Sequence, residues 1–214
     1  MNQRRKVLGY YNYTVVLTYI GMLAGFTGIV CAMERNFRSA LACLLVAGVC
    51  DMFDGAIAST RERTASEKRF GIQIDSLSDL ICFGVLPAVF VCNLEARNYL
   101  CFWVAGMYLL CTLIRLAYFN VLEEERQAEE GGRRKYYQGM PVTTMAMLLP
   151  ATNALCRYRR VSSLLPYCVL LFLSGVAYLT PVTIRKPAAM GKVVMIAVGA
   201  AEVAALALAA IWDV

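Results

Sequence analysis

Histidine is absent from all 214 residues of the chain. That one absence excludes histidine-bound zinc, serine–histidine triads and imidazole general bases. Charge is scarce too: 17% of residues are charged, where a soluble domain carries about a quarter. No internal repeat and no low-complexity tract interrupts the chain. What is abundant is apolar surface, with 59% hydrophobic residues and a mean hydropathy of +0.57. This balance argues against a water-soluble globule and equally against a disordered chain. Any chemistry must come from carboxylates, hydroxyls, amines or thiols.

Nine cysteines are present, but no pair has C-x-x-C spacing. Cys31, Cys43, Cys50, Cys82, Cys92, Cys101, Cys111, Cys156 and Cys168 all fall in or at the ends of apolar runs. They read as small buried hydrophobes, not as a zinc site or a disulfide frame.

A helix needs about 20 apolar residues to cross the hydrocarbon core. The hydropathy pattern predicts seven such segments, near residues 14–33, 39–58, 72–93, 99–120, 140–156, 161–180 and 191–212. The expected architecture is an all-α polytopic transmembrane bundle of six to seven spans, occupying residues 14–214. Pro141 and Pro150 predict a bent fifth segment. Residues 1–13 read as a retained cytoplasmic or interfacial segment, with Arg4, Arg5 and Lys6 near anionic headgroups. If the N-terminus is inside, the inner loops hold 14 Lys and Arg residues and the outer loops six. The positive-inside rule then predicts a multi-pass cell-membrane protein with a cytoplasmic N-terminus. The charged run from Glu123 to Lys135 reads as a solvated loop.

Four of the 15 acidic residues, Asp51, Asp54, Asp75 and Asp79, lie within or beside apolar segments. A charge at bilayer depth costs several kcal/mol, from about 2.5 upward, so such residues are functional candidates. Asp51 and Asp54 are spaced i, i+3, and Asp75 and Asp79 are i, i+4, so each pair shares one helix face. The first pair ends an inward-running helix and the second begins the outward-running one. Both pairs are therefore expected at one cytoplasmic level. Close carboxylates need counter-charge, and oxygen-only ligands favour Mg²⁺, Mn²⁺ or Ca²⁺. Four carboxylates can hold two metals about 3.5–4 Å apart, a geometry suited to phosphoryl transfer. Gly55, Ala58 and Gly71 flank them and would let a flat ligand approach the backbone.

The run Asp51-x-x-Asp54-Gly55-x-x-Ala58, then Gly71-x-x-x-Asp75-x-x-x-Asp79, resembles the signature of CDP-alcohol phosphotransferases, D-x2-D-G-x2-A-R-x8-G-x3-D-x3-D. Ser59 stands where that pattern has Arg, and 12 residues separate Ala58 from Gly71 where it has nine. Arg61 or Arg63 in the longer loop is a candidate for the missing cation. Asp75-Ser76-Leu77-Ser78-Asp79 with Phe83-Gly84-Val85-Leu86-Pro87 is similar to a run of the family's bacterial phosphatidylserine synthases, with Cys82 where Ser is usual. Arg115-Leu116-Ala117-Tyr118-Phe119-Asn120 and Gly139-Met140-Pro141 resemble two further runs of those enzymes.

The resemblance implies transfer of a phosphatidyl group from CDP-diacylglycerol to an alcohol, L-serine for the synthases, with release of CMP. It implies that Asp51, Asp54, Asp75 and Asp79 hold Mn²⁺ or Mg²⁺, two ions in all, with Asp79 also the general base. Gly55, Ala58, Ser59, Arg61 and Gly71 become the expected CDP contacts. Arg115 is the leading candidate for the serine carboxylate, with Lys135 and Tyr137 behind it. A homodimer in the bilayer is expected, and no nucleic-acid partner. Glycerol 3-phosphate or inositol as acceptor remains open, as does, more remotely, a divalent-cation transporter.

Overall fold

The computed structural model describes residues 9–95, 98–128, 136–161, 163–181 and 183–185. Helices α1 (Tyr13–Met33) and α2 (Phe37–Ala58) form an antiparallel pair. Helix α3 (Ala65–Asp79) passes through a π turn (Leu80–Val85) into α4 (Leu86–Leu94). Helix α5 (Tyr99–Ala128) is followed by strand β1 (Tyr136–Gln138) and a 3₁₀ turn (Val142–Thr144). Helices α6 (Met145–Tyr158) and α7 (Leu165–Leu179) and strand β2 (Thr183–Arg185) complete the described chain. The two strands pair antiparallel, Tyr137 opposite Ile184.

Four of these helices are long and apolar enough to cross a membrane: Tyr13–Met33, Phe37–Ala58, Ala65–Leu94 and Tyr99–Glu125. Large apolar side chains such as Leu23, Phe26 and Trp103 point outward, as a lipid-facing surface requires. The fifth and sixth expected segments are shorter than a full span, 14 and 15 residues for α6 and α7. The seventh segment, with Glu202, and the basic residues Arg4, Arg5 and Lys6 lie outside the described residues.

Two boundaries depart from the hydropathy reading, and both for the same reason. Helix α3 starts at Ala65, not near Ile72, because Thr64 and Glu67 form a reciprocal capping box. The Thr64 hydroxyl accepts from the Glu67 amide at 3.2 Å, and the Glu67 carboxylate accepts from the Thr64 amide at 2.9 Å. Helix α5 runs on to Ala128, so Glu123, Glu124 and Glu125 are helical and not part of a loop. Polar residues of good helix propensity extend helices beyond the apolar stretch that hydropathy detects.

Small residues bring the first helices close. A Cβ on Gly25 would sit 2.5 Å from Cys82 Sγ, and one on Gly28 2.8 Å from a Leu86 methyl. Without a water-driven hydrophobic effect between helices in lipid, this close packing is what holds α1 to its neighbours. All nine cysteines are free thiols, four of them buried and five half-buried, as their apolar surroundings suggested.

The π turn has an identifiable cause. Pro87 has no N–H to donate to the carbonyl of Phe83, and its ring crowds that carbonyl in a regular helix. The turn widens there, and the freed Phe83 oxygen accepts a hydrogen bond from the Tyr108 hydroxyl on α5. Tyr108 in turn meets the Tyr178 hydroxyl at 3.5 Å, and Tyr178 donates to the Val142 carbonyl at 3.2 Å. Both tyrosines are buried, so this chain satisfies backbone groups that lipid and core cannot.

Candidate active site

The two aspartate pairs meet. Carboxylate oxygens of Asp51, Asp54 and Asp75 all lie within 4.8 Å of one another. Asp54 and Asp75 are within hydrogen-bonding reach of each other, and Asp79 joins through Asp51. Asp79 thus stands beside the three-carboxylate group, not inside it. Ionised carboxylates only accept hydrogen bonds and repel at this range, so the arrangement calls for a cation or protons between them. The donor set is oxygen alone, which fits a hard divalent cation. Among the described residues no other His, Cys, Asp or Glu group is so disposed.

The cluster is recessed. Asp54 and Asp51 precede the α2 terminus at Ala58 by four and seven residues, and Asp75 follows the α3 start at Ala65 by ten. At 1.5 Å per residue the carboxylates lie about 6–15 Å below the helix ends. Asp75 and Asp79 lie deeper in their helix than the apolar start near residue 72 suggested, whereas Asp51 and Asp54 keep the distance from residue 58 that hydropathy set.

Helix α1 contributes a residue that the sequence did not flag. The buried Thr18 hydroxyl donates to Asp54 Oδ2 at 3.3 Å, and the Ser78 hydroxyl donates to the Thr18 carbonyl at 3.4 Å. One residue therefore ties α1 to both aspartate helices. A lone hydroxyl in an apolar run gives no charge or spacing signal.

The expected nucleotide contacts divide. Gly55 is exposed, and a Cβ placed on it would meet nothing within 4 Å, so its face of α2 is open. Ala58 is half-buried at the end of α2. The Ser59 hydroxyl donates to the Ala56 carbonyl at 2.7 Å, which commits it to closing its own helix. Arg61 is exposed, in the field of Glu67. Arg63 is half-buried against Gly71, its Nη1 3.1 Å from where a Cβ would stand.

On the other side of α3, the Ser76 hydroxyl donates to Asn120 Oδ1 at 2.6 Å, and the Asn120 amide donates to Gln73 Oε1 at 3.3 Å. The Gln73 amide donates to Glu124 at 3.3 Å. This ladder fixes the antiparallel register of α3 and α5. Five residues inward from Asn120 is about 7.5 Å, which puts Arg115 level with Asp79. Arg115 is buried, with its guanidinium 5.7 Å from the Phe119 ring and 3.5 Å from a Cβ position on Gly139. Gly139 has φ +76, a backbone state that favours glycine, and carries the turn that seals this side. Lys135 lies outside the described residues. Tyr137 lies on β1, its backbone paired with Ile184.

A family model described as CDP-alcohol phosphatidyltransferase matches residues 11–174. The chain is 33% identical over 132 residues to the CDP-diacylglycerol–serine O-phosphatidyltransferase of Mycobacterium leprae, covering 61% of this chain and 43% of that one. It is 32% identical over 151 residues to the enzyme of the same name from Saccharomyces cerevisiae, with 61% and 51% coverage. The archaetidylserine synthase of Methanothermobacter thermautotrophicus is 27% identical over 150 residues, with 70% and 60% coverage. The chain spans about half the length of the curated relatives it matches. No solved structure matches it. The matched region takes in the Asp51–Asp79 cluster, the open Gly55 face and the Arg115 level in one stretch, and the chain belongs to the CDP-alcohol phosphatidyltransferase family.

Proposed function

We propose that this protein transfers the phosphatidyl group of CDP-diacylglycerol to L-serine, giving phosphatidylserine and CMP. The observation that carries the reading is the convergence of Asp51, Asp54 and Asp75 within 4.8 Å beneath the open Gly55 face. The names of the relatives in Mycobacterium leprae and Saccharomyces cerevisiae support serine as the acceptor.

Asp51, Asp54 and Asp75 would hold the divalent cation, Mn²⁺ or Mg²⁺, with Asp79 at the edge of a second position. A bound cation supplies positive charge against the pyrophosphate and the departing CMP. Asp79 takes the proton of the serine hydroxyl on a carboxylate oxygen. A carboxylate has an ordinary pKa of about 4 and is a weak base, so holding the hydroxyl in line carries much of the rate. The Arg115 fork, level with Asp79, pairs with the serine carboxylate. Gly55 leaves room for the nucleotide, while the diacylglycerol tails stay in lipid. The recessed cluster suits a lipid substrate whose pyrophosphate sits at the edge of the hydrocarbon. The reading includes a homodimer in the cell membrane with the site facing the cytoplasm, on the strength of the basic inner loops and the family resemblance.

The test is CMP release by purified protein given CDP-diacylglycerol, Mn²⁺ or Mg²⁺, and single alcohols. Release with serine is expected. Release only with glycerol 3-phosphate or inositol would replace the acceptor, and release with none would overturn the enzyme reading.

A further inference from the structure

We propose that Arg63 is the cation that receives the nucleotide pyrophosphate, relocated in this chain from the position now held by Ser59. The inference rests on the CDP-diacylglycerol reading and adds a residue to it. Three observations carry it. First, Arg63 is half-buried, yet among the described residues no hydrogen bond or ion pair satisfies its guanidinium. Partial withdrawal of a cation from water carries a cost that a ligand anion offsets. Second, its Nη1 lies 3.1 Å from the Cβ position of Gly71, so a side chain at residue 71 would push the guanidinium away. Third, Gly71 is four residues before Asp75, so the two share a face of α3 one helical turn apart.

The Arg63 guanidinium itself covers Gly71, so an anion seated against that fork has the carboxylate cluster, with its cation, one helical turn along α3 on its other side. A pyrophosphate is long enough to meet both, and its charge suits both. The position that the family signature gives to arginine cannot do this here. The Ser59 hydroxyl is bonded to the Ala56 carbonyl at 2.7 Å, and the side chain carries no charge. The stretch between Ala58 and Gly71 is three residues longer than the signature prescribes, and within it Arg63 lies back against Gly71 of α3. Arg61 instead points into solvent near Glu67.

Phosphate oxygens could also come from a bilayer headgroup, so the probe is CDP with Mg²⁺ in phospholipid-free detergent. Full-length wild type, Arg63→Ala, Arg63→Lys, Gly71→Ala and the double variant Ser59→Arg/Arg63→Ala would be titrated by calorimetry, with thermal unfolding as a folding control. Arg63→Ala should weaken CDP binding about 10-fold or more, since a charge-assisted fork is lost. Arg63→Lys should lose part of that, and Gly71→Ala several-fold. The double variant should recover most of the loss, a rescue that a purely structural arginine would not give. CDP affinity within twofold of wild type in a folded Arg63→Ala protein overturns the proposal. So does a larger effect from Arg61→Ala, or a change in co-purifying phospholipid with CDP affinity intact. Wild type that binds CDP through Arg63 but releases no CMP with any alcohol would sink the proposed reaction and leave this assignment standing.

Discussion

Helix α1 passes to α2 through three residues, and α2 passes to α3 through six. The short turn closes itself with backbone bonds. The Asn36 amide donates to the Cys31 carbonyl at 2.8 Å, and Arg35 takes φ 60 to make the reversal. The C-terminal end of α6 repeats the device, with the Val161 amide on the Cys156 carbonyl at 2.8 Å and Arg160 at φ 52. The longer α2–α3 loop also closes locally, with the Ser59 and Thr60 amides on the Ala56 and Ile57 carbonyls and the Thr64–Glu67 capping box. Side chains lock it in addition to the start of α1: the Tyr13 hydroxyl lies 3.1 Å from the Thr60 hydroxyl, and the Asn12 amide donates to Glu67 at 3.2 Å. One end of the bundle is sealed by backbone geometry at some conformational cost. The other adds side-chain locks and leaves the Gly55 face open. On the proposed reading, the contrast separates residues kept for stability from residues kept for chemistry.

Substitutions can test that separation. The largest effect is expected at the open end: Asp79→Asn should cut CMP release by about 10²–10⁴-fold without lowering the unfolding temperature, because it relieves repulsion. A large loss of stability would place Asp79 in the scaffold instead. Next, Arg115→Ala should raise the serine KM by about 10–100-fold, the worth of a bidentate charged pair. The KM for CDP-diacylglycerol should change far less, and equal shifts in both would remove Arg115 from serine binding. Between the two ends, Tyr108→Phe should destabilise the protein by about 1–3 kcal/mol, since it strands the Phe83 carbonyl. Thermal unfolding in detergent reads that loss, and kcat per folded molecule should hold. The smallest effect belongs to the sealed end. Arg35→Gly should stabilise by about 1 kcal/mol by removing left-handed strain, with catalysis unchanged. A fall in activity there would break the division between the ends.

The sequence alone revealed the chemistry more clearly than the shape. Charge in an apolar chain is conspicuous, so the four aspartates and their shared faces were legible from spacing. Helix limits set by propensity and caps were not, because hydropathy registers only what lipid favours. Thr64 and Glu67 did carry a capping-box signal three residues apart, and that signal corrects the start of α3. Pro87 reads only as part of a family-like run, and the partner that absorbs its missing bond, Tyr108, lies on another helix and depends on tertiary packing. Thr18 was invisible for the same reason. Arg63 could be distinguished from Arg61 only once the loop was seen folded back on Gly71.

The π turn has a consequence for how α3 and α4 share one rod. It takes up one residue more than a regular turn, so everything beyond Val85 is rotated about 100° around the axis from where an uninterrupted helix would carry it. The rod therefore runs in two phases. In the first, Asp75 and Asp79 look toward α2; in the second, Leu86 and Phe90 turn into the core. Deleting a single residue between Leu80 and Val85 would bring the two phases into step, leaving the chain able to aim its carboxylates or bury its apolar face, but not both.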